Sequence, residues 1–150
     1  MNLEQRIMVD LKSAMLAKDE ASMRSLRAVK AAILNAKTAE GASGELNEAD
    51  EIKILQKLVK QRKDSLEIFE KQNRPDLAAK EIEEIAVIEK YLPKQMNEDE
   101  VKAVLNKLID EMGVTSPADF GKLMGAATKK LGGKADGKTI SALARQMLNS

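Results

Sequence analysis

Residues 58–96 read LVKQRKDSLEIFEKQNRPDLAAKEIEEIAVIEKYLPKQM, and this stretch decides the fold. Val59, Arg62, Leu66 and Phe69 recur at three- and four-residue steps, so one stripe runs down a helix. Asn73-Arg74-Pro75 breaks it. Proline has no N–H for a continuing helix, yet it suits the first turn of a new one. Leu77, Ile82, Ile85 and Ile88 or Glu89 then continue at helical spacing. Tyr91-Leu92-Pro93 closes the second helix, because the residue before a proline is pushed out of helical geometry. The two helices are predicted to fold back as an antiparallel pair around shared Leu, Ile and Phe side chains.

Working back from this pair, two more helices precede it. Leu3, Ile7, Leu11 and Met15 predict a helix over about residues 2–17. Asp19 is an N-cap for another over about 20–39, striped by Met23, Leu26, Val29 or Lys30, Ile33 and Leu34. Arg24, Arg27 and Lys30 lie beside that stripe, where their aliphatic stems can cover the core. Residues 40–45, EGASGE, are a loop by composition. Asn47 and Asp50 form a capping arrangement for the long helix, about 48–72, which is roughly 37 Å at 1.5 Å per residue. Along it Lys53, Lys57, Lys60 and Lys63 form a ridge, and the acidic face of the next helix, with Glu81, Glu83, Glu84 and Glu89, can pair with it.

After Pro93 the pattern restarts. Asn97 caps a helix that begins with three acidic residues and ends at Gly113. Its stripe is Val101, Val104 or Leu105, Leu108 and Met112. Ser116-Pro117 is read as the N-cap and first position of the next helix, striped by Phe120, Leu123, Met124 and Ala127 and stopped by Gly132-Gly133. Asp136-Gly137 starts the last, with Ile140, Leu143, Ala144 and Met147 on one face. The expectation is an all-α chain of two helical bundles: four helices over 1–93 and three over 94–150.

Composition agrees. Of 150 residues 43% are hydrophobic, but there are only two Phe, one Tyr and no Trp, so the core must be aliphatic, with eight Met as flexible filler. No Cys excludes disulfides, thiol nucleophiles and Cys-bound zinc, and no His removes the commonest metal ligand and the usual general base. No run approaches the ~20 apolar residues of a membrane span, and the first ten residues do not read as a signal peptide. A cytoplasmic location without membrane contact is the expectation. Residues 1–93 carry 16 basic and 17 acidic side chains, whereas 113–150 carry six basic and two acidic. The chain's modest positive charge is thus at its C-terminal end, which permits a nucleic-acid partner without being diagnostic of one.

Catalytic constellations are nearly absent. Ser65, Ser116 and Ser141 each sit where a helix surface or cap explains them, Glu83 and Glu84 do not converge, and there is neither a Walker A sequence nor GxGxxG. No catalytic residue, metal ligand or cofactor site is assigned. The unusual local sequence is GKLMG at 121–125, then KKLGGKADGK at 129–138. Glycine inside a helix costs about 1 kcal/mol against Ala. Gly121 and Gly125 share one face, which suits close helix packing first and approach of a nucleic-acid backbone second. The Gly-Gly-Lys-Ala-Asp-Gly-Lys turn is either a capped inter-helix turn or a helix start whose N–H groups and lysines attract phosphate.

Leu26-Arg27, Lys60 to Ser65 with Phe69, Arg74-Pro75-Asp76-Leu77, Glu89 to Pro93, Gly121 to Gly125 and Gly133 to Gly137, taken in order, are a specific set. In that set the chain resembles the GatB/YqeY family along nearly its whole length. The resemblance implies a four-helix bundle followed by a three-helix bundle. It also implies kinship with the C-terminal tail of the B subunit of glutamine-dependent tRNA amidotransferases, which contacts tRNA. The likeness to that tail is clearest from Phe120 to Lys138; where the tail often has Asn-Pro, this chain has Asp136-Gly137. Nothing matches the catalytic sites of those enzymes, so the expectation is an accessory module without its own catalysis. Lys122, Lys129, Lys130, Lys134 and Lys138 would neutralise tRNA phosphates, helped by Arg27, Lys60 and Lys63, with Gly125 and Gly133 allowing close approach. The alternative is a protein-interaction module in translation, presenting its acidic helix to a partner enzyme.

Overall fold

The computed structural model describes residues 1–39 and 41–149; Glu40, placed in the loop above, and Ser150 lie outside the described residues. The described chain is helical, with no strand: α1 Leu3–Ala17, α2 Glu20–Thr38, α3 Glu48–Lys71, α4 Pro75–Glu89, α5 Glu98–Met112, α6 Phe120–Leu131 and α7 Gly137–Leu148. A short 3-10 turn, Pro117–Asp119, precedes α6. The chain forms two compact units, Met1–Leu92 and Pro93–Ser150.

In the first unit α3 and α4 pack as the antiparallel pair, and α2 packs against α1, α3 and α4. Its core is Leu3, Ile7, Ala14, Leu26, Val29, Ile33, Leu55, Val59, Ile85 and Ile88. The corner between α3 and α4 is made by Asn73 at φ +55, with the Arg74 N–H on the Phe69 carbonyl and Pro75 opening α4. Capping boxes start α1 (Asn2 with Gln5) and α3 (Asn47 with Asp50), each satisfying two backbone donors.

Four stripe assignments need correction, one of them Met112, 39% exposed in the last turn of α5. Met15, Leu34 and Ile82 are exposed by 53%, 45% and 53%. A four-residue step overruns the 3.6-residue turn by about 40°, so three such steps carry Met15 about 120° away from Leu3. Ala14, seven residues after Ile7, stays on the buried face instead. Ile82 is likewise about 120° round from Ile88, and Ala78 holds the core position.

The second unit encloses Val101, Leu105, Leu108, Val114, Leu123, Ala127, Leu131, Ala135, Ile140, Leu143, Ala144 and Leu148. Asn97 and Glu100 form the capping box of α5, and Gly113, at φ +67, ends it. Ser116 does not cap α6 with its side chain, as the sequence suggests. The chain first makes the 3-10 turn, and Asp119 reaches back, accepting weakly from the Thr115 N–H at 3.4 Å.

Candidate nucleic-acid interface

Helix α6 is apolar on one side because Leu123, Ala127 and Leu131 recur at four-residue spacing, and all three are buried. The opposite side carries Gly121, Gly125 and Thr128, with Lys122 and Lys129 along one flank, all exposed. A Cβ added at Gly121 or Gly125 would meet nothing within 4 Å. The expectation that these glycines serve helix packing is therefore corrected. Four-residue spacing places them on one face, but that face points to solvent. It is a smooth strip of accessible backbone edged by two lysines.

The turn after α6 is a capped turn. The Lys134 and Ala135 N–H groups both donate to the Leu131 carbonyl, and the Asp136 carboxylate accepts from the Thr139 N–H at 2.7 Å. Those N–H groups are spent inside the chain, and the start of α7 is occupied by its own aspartate. This removes the helix-terminus phosphate reading. Gly133 stands at φ +83, where glycine is favoured, and is buried. Its carbonyl accepts from Gln95 Nε2 at 2.8 Å, and the Lys134 carbonyl accepts from the Met96 N–H at 2.8 Å. Gly133 thus builds the turn and offers no surface, a correction to its role in close approach.

Lys122, Lys129, Lys130, Lys134 and Lys138 are all exposed. None has a carboxylate partner, and the second unit has no ion pair among the described residues. Lys122 and Lys129 share the glycine face, Lys130 stands at the edge of the helix, and Lys134 and Lys138 follow on the turn and the first turn of α7. The sequence reading missed Arg145. Its guanidinium lies over the Phe120 ring, 4.9 Å from the centroid, beside a cavity of about 270 Å³ bounded also by Pro117, Leu148 and Asn149. A pair 25 residues apart leaves no local pattern to find.

The helper cations of the first unit are differently placed. Lys60 pairs with Asp64 at 2.9 Å and Lys63 with Glu89 at 3.6 Å, while Arg27 is exposed. Arg62 faces Glu84 at 3.5 Å with both side chains mostly covered, and Arg24 meets Glu83 at 3.1 Å. The acidic face of α4 is therefore met largely by cations of α2 and α3, as the sequence suggests for α3. Glu81 has no such partner; burial, with Glu84 nearby, raises its pKa although Arg62 opposes. Among the described residues no three potential ligands cluster as for a metal ion, and no helix is long and apolar enough to cross a membrane.

The described chain is all-helical, and its second unit carries five exposed lysines without ion-pair partners among the described residues. Its family follows from comparison: the model of the Yqey-like protein family matches residues 4–148, and the chain belongs to that family. It is similar to proteins named "Altered inheritance of mitochondria protein 41, mitochondrial". That of Lachancea thermotolerans is 36% identical over 111 residues, covering 73% of this chain and 59% of the relative. That of Kluyveromyces lactis is 35% identical over 134 residues, covering 87% and 68%. That of Saccharomyces cerevisiae strain YJM789 is 38% identical over 109 residues, covering 69% and 56%. The chain thus spans little more than half to two thirds of these relatives. The compartment in their names is the mitochondrion, which overturns the cytoplasmic expectation. Composition and the lack of an apolar span bear on membrane crossing and do not separate one aqueous compartment from another.

Proposed function

We propose that the chain is a YqeY-type accessory module that binds tRNA through its second unit and has no catalysis of its own. In this reading the two units are a four-helix and a three-helix bundle, and the second is kin to the tail of the amidotransferase B subunit. The observation that carries it is the set of five exposed lysines without carboxylate partners, two beside the glycine strip of α6 and three at the helix edge, on the following turn and at the start of α7. Unpaired lysines release counterions from a phosphate backbone without first breaking an internal pair. The strip brings backbone within reach of a ribose-phosphate surface, so shape and phosphate spacing would be read more than bases. The alternative, a protein partner on the acidic helix, is less supported because Glu83, Glu84 and Glu89 are already engaged.

The test is fluorescence anisotropy with individual tRNAs across a salt series. Lys134→Glu with Lys138→Glu is expected to abolish binding, and affinity should fall steeply with salt. Gly125→Ala separates binding from folding. It should stabilise the fold by about 0.5–1 kcal/mol, since the added methyl meets nothing, and weaken tRNA binding by obstructing the strip. Unchanged affinity in both variants, or no binding at low salt, overturns the reading.

A further inference from the structure

In the second unit the start of α6 meets the end of α7, where the Arg145 guanidinium lies over the Phe120 ring. The cavity of about 270 Å³ beside them is lined by the apolar surfaces of Pro117, Phe120 and Leu148 and by the polar groups of Arg145 and Asn149. Arg145 is exposed and has no carboxylate partner or side-chain hydrogen bond among the described residues, and the Asn149 side-chain amide makes no hydrogen bond there either. From Phe120 to Asn149 the only carboxylate side chain is Asp136, which the Thr139 N–H holds at the other end of α7. Asp119, next to Phe120, turns back to the Thr115 N–H and the Ser116 hydroxyl, accepting at 3.4 and 3.5 Å. Along α7, Lys138 and Arg145 stand seven apart, which is about 20° round and about 10.5 Å along the axis, so they share one row. Ala142 lies between them on that row, exposed and small.

We infer that Phe120, Arg145 and the cavity beside them hold one unpaired nucleobase of the bound RNA, an inference that rests on the tRNA reading above and deepens it. The chemistry selects the occupant. Attraction to the ring face holds the guanidinium in place, and the exposure of Arg145 leaves its other side open. A guanidinium plane stacks on an unpaired base, while its N–H edge is suited to a phosphate. One nucleotide answers both demands, with a flat ring for the face and an anion for the edge. A bare anion would use the edge and leave the walls at Pro117 and Leu148 uncovered. A wholly apolar ligand would cover those walls and desolvate an unpaired cation, which is costly. The cavity is just below the ~300 Å³ at which small-molecule pockets begin, so it suits a single ring system and not an extended ligand. Asn149 brings both a donor and an acceptor to the polar edge of the ring. The site therefore reads the presence of an unpaired base more than its identity. Lys138, on the row of Arg145, carries the phosphate backbone from the lysine surface to the cavity.

NMR titration of the isotope-labelled full chain with adenosine monophosphate, and separately with ribose phosphate, tests the site without tRNA. At millimolar concentration the nucleotide should shift the Asn149 side-chain amide and move the Arg145 Nε–H resonance upfield, as a stacked ring does. Ribose phosphate carries the same anion without the base and should leave Asn149 unmoved. Equal shifts with the two probes, or none with either, overturn the base site. Arg145→Lys keeps the charge and loses the plane. Arg145 is exposed, so the circular-dichroism spectrum of the variant should match that of the wild type. The variant should lose the nucleotide shift at Asn149 and bind tRNA about five- to a hundredfold more weakly, the worth of one stacked base. Its salt slope should be unchanged, because the number of cations is the same. Failures of the two readings separate. If tRNA binds but the nucleotide shifts nothing, the base site falls and the lysine surface stands. If the nucleotide binds at Arg145 but tRNA does not bind, or binds Arg145→Lys equally well, the occupant is a free nucleotide and the assignment to an RNA base is overturned.

Discussion

Tyr91 ties the end of α4 to α1: its hydroxyl donates a hydrogen bond to Asp10 Oδ2, and the Arg6 guanidinium lies 5.2 Å above its ring centroid. Tyr91→Phe keeps the ring and the cation above it and removes only the hydroxyl. A hydrogen bond to a charged group contributes about 1.5–3 kcal/mol, and here both partners are only part-buried, so water can return to Asp10. A loss at or just below the lower end of that range, about 1–1.5 kcal/mol, is expected at pH 7. For a unit of this size that is a fall in melting temperature of roughly 4–8 °C per kcal/mol.

The same bond sets a pH signature. Burial, then the Asp10 hydrogen bond and the Asp10 charge, push the Tyr91 phenol well above its ordinary range, while Arg6 opposes. A folded pKa above the unfolded value, about 10, means that the stabilisation is complete below that pH. It is lost as pH rises from there towards the folded pKa. The stability gap between wild type and Tyr91→Phe should therefore be constant at neutral pH and close in alkali. The chain has one Tyr and no Trp, so tyrosinate absorbance reports this phenol alone. Native protein should resist ionisation at a pH where the urea-unfolded chain has half titrated. A native titration near the ordinary midpoint, or Tyr91→Phe as stable as wild type at pH 7, would refute the coupling.

Two further outcomes follow from burial and charge. Leu123→Ala empties a fully buried site in the second core and should cost about 2–5 kcal/mol in urea unfolding, whereas Lys122→Ala beside it, exposed, should change stability by no more than about 0.5 kcal/mol. Glu81→Gln should stabilise the protein at pH 7, because the raised pKa marks a carboxylate whose ionisation opposes folding. That advantage should vanish as pH falls below the unfolded carboxylate value, and a variant less stable than wild type at pH 7 would contradict it.

The helix ends were legible because capping is local. Asn47 with Asp50, Asn97 with Glu100, and Asp136 before Gly137 each form their bonds within three residues. Pro75 and Gly113 mark their ends for equally local reasons. Which members of a stripe are buried was less legible, since Met15 and Ile82 depend on where the neighbouring helices lie. The glycines of α6 show the same limit: spacing gives a common face and leaves open whether it looks inward. Tyr91 with Asp10 and Arg145 with Phe120 join residues far apart in sequence, so only the folded chain brings them together.

Availability of charge separates the two units more than amount of charge does. All seven ion pairs among the described residues lie between Glu4 and Glu89. A paired lysine such as Lys60 can still turn to a phosphate, because an exposed pair is worth only about 0–1 kcal/mol, but it must give up that contact. An unpaired lysine such as Lys134 gives up nothing except counterions. If the chain binds tRNA as proposed, charge reversal at Lys60 should therefore disturb that binding less than reversal at Lys134, even though both carry one charge and both are exposed. Equal losses at the two positions would mean that the phosphate surface follows total charge, and that ion pairing within the first unit does not direct where RNA binds.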